Sequence, residues 1–344
     1  MNPYIGNILE QPAALRRLVE SFTPQPLELI LSAFKRNRYD RIILTGMGAS
    51  YSAACPTEIA LSQLPIPVIL VNSSELVHYK ADLIGPRSLV WMNSQSGRSA
   101  ELVHLLEVLK STPGADVLVC VNERDSPLAH GADLCLPIFA GPEATVGTKT
   151  YLNTVAANLL AAVVLVESNL AELKSDILET AGAIEDYLGN MDRQVAEMDA
   201  GLGNSKNLIV LGRGPSMGAV WTGALITKEA AKFPLEGMHA AEFRHGPLEL
   251  AEPGFTALVL AGAPETIGLN RKLALDIIEH GGRVLWIDDV RDPELDTIQM
   301  PRARGLVRSL AEILPLQILT LVLANRRGVE AGKFRYLDKV TVVE

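Results

Sequence analysis

The sequence predicts an α/β protein of two domains, each a parallel sheet flanked by helices. Three observations carry that prediction. Short β-branched strands alternate with helical stretches along most of the chain, the pattern of a parallel sheet with helices on both faces. A strand–glycine turn–helix unit stands at Gly46-Met47-Gly48 and starts again at Gly212-Arg213-Gly214. Between them, charged-faced helical sequence runs to Gly201-Leu202-Gly203-Asn204, as a domain connection does.

In chain order, helices are expected at residues 13–22 and 27–35, followed by a strand over 41–45 that ends in the glycine turn. Strands follow at 68–72, 89–93 and 117–122, each closed by polar turn residues and helical sequence. A long helical region covers 150–179 and resumes over 184–198. The second half repeats the theme. It has a strand at 208–211, a helix through Glu229, strands at 256–260, 284–287 and around 297–300, and a last helix over 310–325. The expected organisation is an N-terminal helical segment (1–30), a first domain (31–180), a second domain (200–334) and a C-terminal tail (335–344), with the boundary near 180–204.

Composition narrows the function. A hydrophobic share of 48% against 21% charged residues is that of a folded globular chain. The net charge of −9, without any basic block, argues against nucleic acid as partner, because backbone phosphates need clustered Lys and Arg. A small anionic ligand needs only local donors and is compatible with this charge. Three cysteines without metal-type spacing, and no charged-then-apolar leader at Met1-Asn2-Pro3-Tyr4, point to a cytoplasmic setting. The most apolar runs, 159–166 and 313–324, are too short to span a bilayer and read as buried helices, so no membrane association is expected.

The densest chemistry lies in Ser94-Gln95-Ser96-Gly97-Arg98-Ser99, between a strand and a helix. Loops at the carboxyl ends of parallel strands are where α/β proteins bind ligands, and a helix N-terminus offers free N–H groups and a positive dipole end. Three hydroxyls in six residues add donors, so the loop reads as an anion cradle; a single serine there would be only a helix cap. Gly46-Met47-Gly48-Ala49-Ser50 is a GxG turn without the third glycine of a dinucleotide loop. Glu75, beyond the next strand, leaves nicotinamide as an alternative to a sugar, but no cofactor or metal is expected.

Further on, Glu229 near a helix end and His245 in a Gly-Pro turn offer a carboxylate and an imidazole for shuttling protons between sugar carbons and opening a sugar ring. A surface glutamate and a turn histidine would show the same spacing, and His239 is an alternative imidazole. Lys339, in an apolar tail, has the chemistry to hold a carbonyl oxygen or to form a Schiff base if docked.

In order along the chain, 8–12, 46–52, 94–99, 143–150, 211–214, 228–229, 242–248, 315–317 and 339–344 resemble the double sugar isomerase (SIS) domain family. The likeness is to the isomerase half of glucosamine-6-phosphate synthases and to SIS-type amino-sugar-phosphate deaminases and deglycases. It implies two flavodoxin-like domains, a homodimer, and a sugar phosphate as ligand. By residue it implies Ser94, Gln95, Ser96 and Ser99 at the phosphate and Ala49, Ser50 and Val146 around the sugar. Glu229 would move the proton between C1 and C2, His245 would open the ring, and Lys339 would engage the carbonyl. Two departures follow from the same likeness. The sequence shows no glutaminase domain, so glutamine use is not expected, and Ile226 stands where the synthases carry a second lysine, three residues before the glutamate. Lys228 is one residue away, about 100° around the helix. The implied activity is therefore an isomerase or deaminase of an amino-sugar 6-phosphate, with a deglycase of fructosyl-amine 6-phosphates or a non-catalytic sugar-phosphate regulator as alternatives.

Overall fold

The computed structural model describes residues 2–111 and 113–336. Two compact units divide them. The first runs from Ala13 to Leu178; the second runs from Glu179 to Phe334 and takes in the N-terminal residues up to Pro12.

The first unit holds β1 (Arg41–Gly46), β2 (Val68–Asn72), β3 (Ser88–Ser94), β4 (Asp116–Val121) and β5 (Leu134–Pro137). All pairings are parallel, in the order β2-β1-β3-β4-β5. Both faces are covered, which is why β1 and β3 read as unbroken apolar runs. Ile43, Val90, Met92 and Val119 pack with Leu102, Leu105 and Leu106 of the helix Ala100–Lys110. On the opposite face Trp91 is fully buried and its Nε1 donates to Asn158 Oδ1 at 3.1 Å, on the helix Lys149–Leu165.

The second unit repeats this plan with β6 (Asn207–Gly212), β7 (Glu236–His239), β8 (Phe255–Leu260), β9 (Arg283–Asp288) and β10 (Thr297–Gln299). Its order is β10-β9-β8-β6-β7, again all parallel, so that the two sheets share one topology. Leu211, Val259 and Trp286 pack with Leu273 and Ile277 of the helix Ile267–Glu279. The helices Met217–Ala231 and Arg308–Arg326 pack closely together, and Gly223 permits this: a methyl group there would lie 2.3 Å from Leu316 Cδ1. The N-terminal residues are tied to this unit by polar bonds. Tyr4 Oη and Thr320 Oγ1 are 3.0 Å apart, and the buried amides of Gln11 and Gln317 exchange bonds of 2.9 and 3.0 Å. By length and composition Gly305–Arg326 would suffice to cross a bilayer, but 83% of its apolar window is buried within the fold. It is a core helix.

The region 150–179 is not one helix. Lys149–Leu165 ends at a turn where Glu167 takes φ of +52°, and Leu170–Leu188 starts anew. β5 and β7 are additions to the sequence-based reading.

The amino end of Arg308–Arg326 is anchored by a buried ion network. The Arg308 guanidinium reaches Asp288 at 2.6 Å, Asp289 at 2.8 Å and Glu312 at 3.4 Å, while Ser216 Oγ donates to Glu312 at 2.9 Å. Burial pushes the Glu312 carboxyl up and Arg308 opposes that rise. Removing one partner from such a network leaves uncompensated buried charge. Arg308→Met should therefore lower unfolding stability by about 3–5 kcal/mol at pH 7 in urea titrations. The loss should shrink toward pH 5, where the orphaned carboxyls take up protons.

Candidate functional site

In the first sheet the chain reverses its winding between β1 and β3. The helices following β1 and β3 cover opposite faces, which opens a crevice at the carboxyl ends of these two strands. Gly46 closes β1 in register with Asn93 of β3, and a methyl group at Gly46 would stand 2.9 Å from the backbone at Ser50 and Tyr51. The turn bearing Ala49 and Ser50 is thus drawn tightly against the strand that leads into the serine loop.

The serine loop is shaped from within. Ser94 Oγ accepts from Gly97 N at 3.0 Å and Ser96 Oγ from Arg98 N at 3.2 Å. Each hydroxyl uses a lone pair on the backbone and keeps its proton to donate. The Gln95 carbonyl accepts from Asn122 N and Glu123 N at 3.1 and 3.3 Å, and the Gly97 carbonyl from Leu128 N at 3.3 Å, so the loop is laced to the residues after β4. Arg98 is exposed and turned away, its guanidinium bonded to the Asp125 carbonyl. Ser99 is the N-cap of Ala100–Lys110 without a side-chain capping bond, so its hydroxyl and the first N–H groups of an 11-residue helix stay available to an anion. Gly97 sits at φ +63°, and a methyl group there would lie 2.1 Å from Ser126 Oγ.

The loop carrying Val146 approaches the same turn. Val146 itself is buried, and a methyl group at Gly147 would lie 4.0 Å from Ala49 Cβ. The structure thus gathers Ala49, Ser50, Val146 and the serine loop around one crevice of the first unit. Glu143, which the residue-by-residue reading passed over, lies in this loop. Its carboxylate is buried and accepts from Thr148 N (2.9 Å), Thr148 Oγ1 (3.0 Å), Thr150 N (3.2 Å) and Thr150 Oγ1. The sequence signal was a lone acidic residue just before a Thr-Lys-Thr helix start.

Glu229 and His245 belong to the second unit. Glu229 lies near the end of Met217–Ala231, a helix whose buried side includes Ile226 at 0% exposure. Its less buried side carries Trp221, Leu225 and Glu229, spaced at four residues. Burial pushes the Glu229 carboxyl up to about 7, against the pull of Lys232. Lys232 ends the helix in the left-handed region and donates to the Lys333 carbonyl at 2.7 Å. His245 is exposed beyond the short helix Ala240–Phe243, its backbone N–H on the Glu242 carbonyl at 2.9 Å. Among the described residues no hydrogen bond or ion pair joins His245 to Glu229. The alternative imidazole, His239, lies edge-on to Trp221 with ring centroids 5.3 Å apart. Lys339 lies outside the described residues. Among those residues no group of three His, Cys, Asp or Glu side chains is placed to hold a metal ion.

The crevice of the second sheet, between β6 and β8, is filled from within. A methyl group at Gly262 would meet Ser216 Oγ at 3.4 Å and Asn270 Nδ2 at 3.3 Å, and Arg213 Nε donates to Asn270 Oδ1 at 2.8 Å. No serine cluster follows β8, where the sequence is Ala261-Gly262-Ala263-Pro264. The donor-rich loop belongs to the first unit.

Residues 37–164, which span β1 to β5 and the serine loop, match the SIS domain family. The chain carries a SIS domain. Over 99% of its length the chain is 32% identical to the isomerizing glutamine–fructose-6-phosphate aminotransferase of Pyrococcus horikoshii, and it spans 57% of that relative. The C-terminal domain of glucosamine–fructose-6-phosphate aminotransferase from Francisella tularensis superposes with a TM-score of 0.86 at 18% identity, covering 97% of this chain and 98% of that one. Glucosamine-6-phosphate deaminase from Thermotoga maritima superposes with a TM-score of 0.80 at 20% identity, covering 99% and 100%. At these identities the structural likeness speaks for the fold.

Gly97→Ala should lower stability by about 1–3 kcal/mol, because a side chain is forced both into a positive φ and onto Ser126. It should also weaken inorganic phosphate binding at least about tenfold by isothermal titration. A second expectation concerns Glu229. Its proton is held more tightly in the folded than in the unfolded chain, so its stabilising contribution is present below about pH 4.5 and lost as pH rises through about 7. Urea titrations should show Glu229→Gln gaining stability relative to the natural chain between those pH values and holding that gain above them.

Proposed function

We propose that this chain binds an amino-sugar 6-phosphate and moves a proton between its C1 and C2, isomerising the sugar or releasing its amine. The observation that carries the proposal is the serine loop: donor-bearing hydroxyls stand beside a helix N-terminus without a side-chain cap, at the carboxyl end of β3 in a SIS domain. A phosphate dianion there accepts charge-assisted bonds of about 1.5–3 kcal/mol each. The names of the relatives supply the sugar class, since they include an isomerizing aminotransferase acting with fructose 6-phosphate and a glucosamine-6-phosphate deaminase.

In this reading His245 assists ring opening, and Glu229 takes the proton from C2 and returns it to C1. A carboxyl at about 7 suits both halves of that transfer, because either protonation state is accessible near neutral pH. Lys339 engages the open-chain carbonyl. Proton transfer converts the 2-amino aldose into a 2-imino compound, and water then releases ammonia and leaves a ketose phosphate. The burial of Ile226, where the synthases place a lysine, favours amine release or deglycation over synthase-type isomerisation: the position offers no second amine for proton transfer. The working form in this proposal is a cytoplasmic homodimer.

The test is to incubate the protein with glucosamine 6-phosphate and with fructosyl-amine 6-phosphates, following ammonia or amine release and the sugar by NMR. Turnover with an inflection near pH 7 is expected, and Glu229→Gln should lower kcat by about 10²-fold or more while retaining phosphate binding. Phosphate-sugar binding without turnover would replace the enzyme with a sugar-phosphate-sensing regulator.

A further inference from the structure

We propose that Glu143 is a positioning residue for the sugar, acting by clamping the loop that forms the wall opposite the Ala49–Ser50 turn. The proposal rests on the sugar-phosphate reading of the crevice and adds to it a residue to which no role has been given.

The helix Lys149–Leu165 begins without a capping bond from its own N-cap, Thr148, whose backbone lies at φ −129° and ψ −80°. The missing acceptor comes from five residues upstream. Glu143 Oε1 takes the N–H groups of Thr148 and Thr150 together with the Thr148 hydroxyl, and Oε2 takes the Thr150 hydroxyl. A negative carboxylate at the positive end of a 17-residue helix is electrostatically favourable, and burial at 6% exposure protects it from screening. The intervening residues, Ala144 to Gly147, are thereby pinned as a closed loop. At its end Gly147 comes within methyl-contact range of Ala49, and the short helix Gly48–Ser52 packs on Lys149–Leu165. Among the described residues, one carboxylate and four donors hold this loop beside the Ala49–Ser50 turn. The serine loop, by contrast, is held by its own bonds to the residues after β4. The phosphate handle and the sugar wall are therefore separately supported.

That separation generates the test. Among the described residues, the donors on Oε1 include two backbone N–H groups, which cannot reverse, whereas Oε2 takes a hydroxyl, which can rotate and accept. Glu143→Gln can keep its carbonyl oxygen at the Oε1 position and donate its amide N–H to Thr150, preserving the loop. Glu143→Ala cannot.

The measurement is titration calorimetry of the full chain with inorganic phosphate and with glucosamine 6-phosphate, alongside the melting temperature. Glu143→Ala is expected to raise the sugar-phosphate Kd about tenfold or more, with the phosphate Kd within about twofold of the natural chain. Glu143→Gln should stay within about threefold for both ligands. If Glu143→Ala does not fold, Thr150→Val removes a single donor and should raise the sugar-phosphate Kd by about threefold or more. Equal loss of both ligands, no loss of either, or identical behaviour of the Gln and Ala variants overturns the role of Glu143 alone. A natural chain that binds phosphate but gains nothing from the sugar overturns the proposed function, and the sugar wall with it.

Discussion

A parallel sheet cannot turn back on itself by a hairpin, so every strand here is followed by a return path across one face. That constraint gathers helix amino ends at the carboxyl edge of the sheet, each presenting unpaired N–H groups. Where consecutive return paths go to opposite faces, between β1 and β3, the loops part and leave room for a ligand. The serine hydroxyls, the glycine at φ +63° and the uncapped start of Ala100–Lys110 all derive their chemistry from being placed at that one parting.

The two sheets show what the same constraint yields with different side chains. In the first unit the loops after β1 and β3 carry serines. In the second, Ser216, Asn270 and Arg213 close the equivalent place, and the helix that starts at Arg308 is held by carboxylates of its own unit. The helix Lys149–Leu165, at the corresponding position of the first unit, is held by Glu143. Both amino ends therefore rely on buried carboxylates supplied from outside the helix, one network serving the fold and the other bordering the crevice.

The central strands were legible because burial on both faces writes them as continuous apolar runs, and glycine turns marked the ends of β1 and β6. β5 and β7 were not legible. Each is four residues at a sheet edge, β5 carrying Cys135 and Pro137 and β7 Gly237 and His239, so neither shows the apolar run that announces an inner strand. No Gly or Pro marks the break at Glu167; its sequence signal is Ser168-Asn169, where Asn169 Oδ1 accepts from Glu172 N at 3.1 Å to start the next helix. At the crevice, the serine loop could be read from composition and position together. Glu143 could not be, because its partners are backbone N–H groups whose direction depends on a helix start that sequence does not orient. For Glu229 the sequence offered a carboxylate, but its raised protonation equilibrium follows from burial, which only the packed helix reveals.

The pairing of Gln11 with Gln317, and of Tyr4 with Thr320, bears on how the chain assembles as it is made. The sheet of the first unit lies wholly within Ala13–Leu178, so it can be completed while later residues are still being synthesised. The N-terminal residues emerge before it, yet their buried partners lie in the last long helix. Tyr4 and Ile8, both without solvent exposure in the finished fold, must wait through the synthesis of some 300 residues before they are covered. Residues made well before the first sheet is complete are thus among the last of the described fold to find their place.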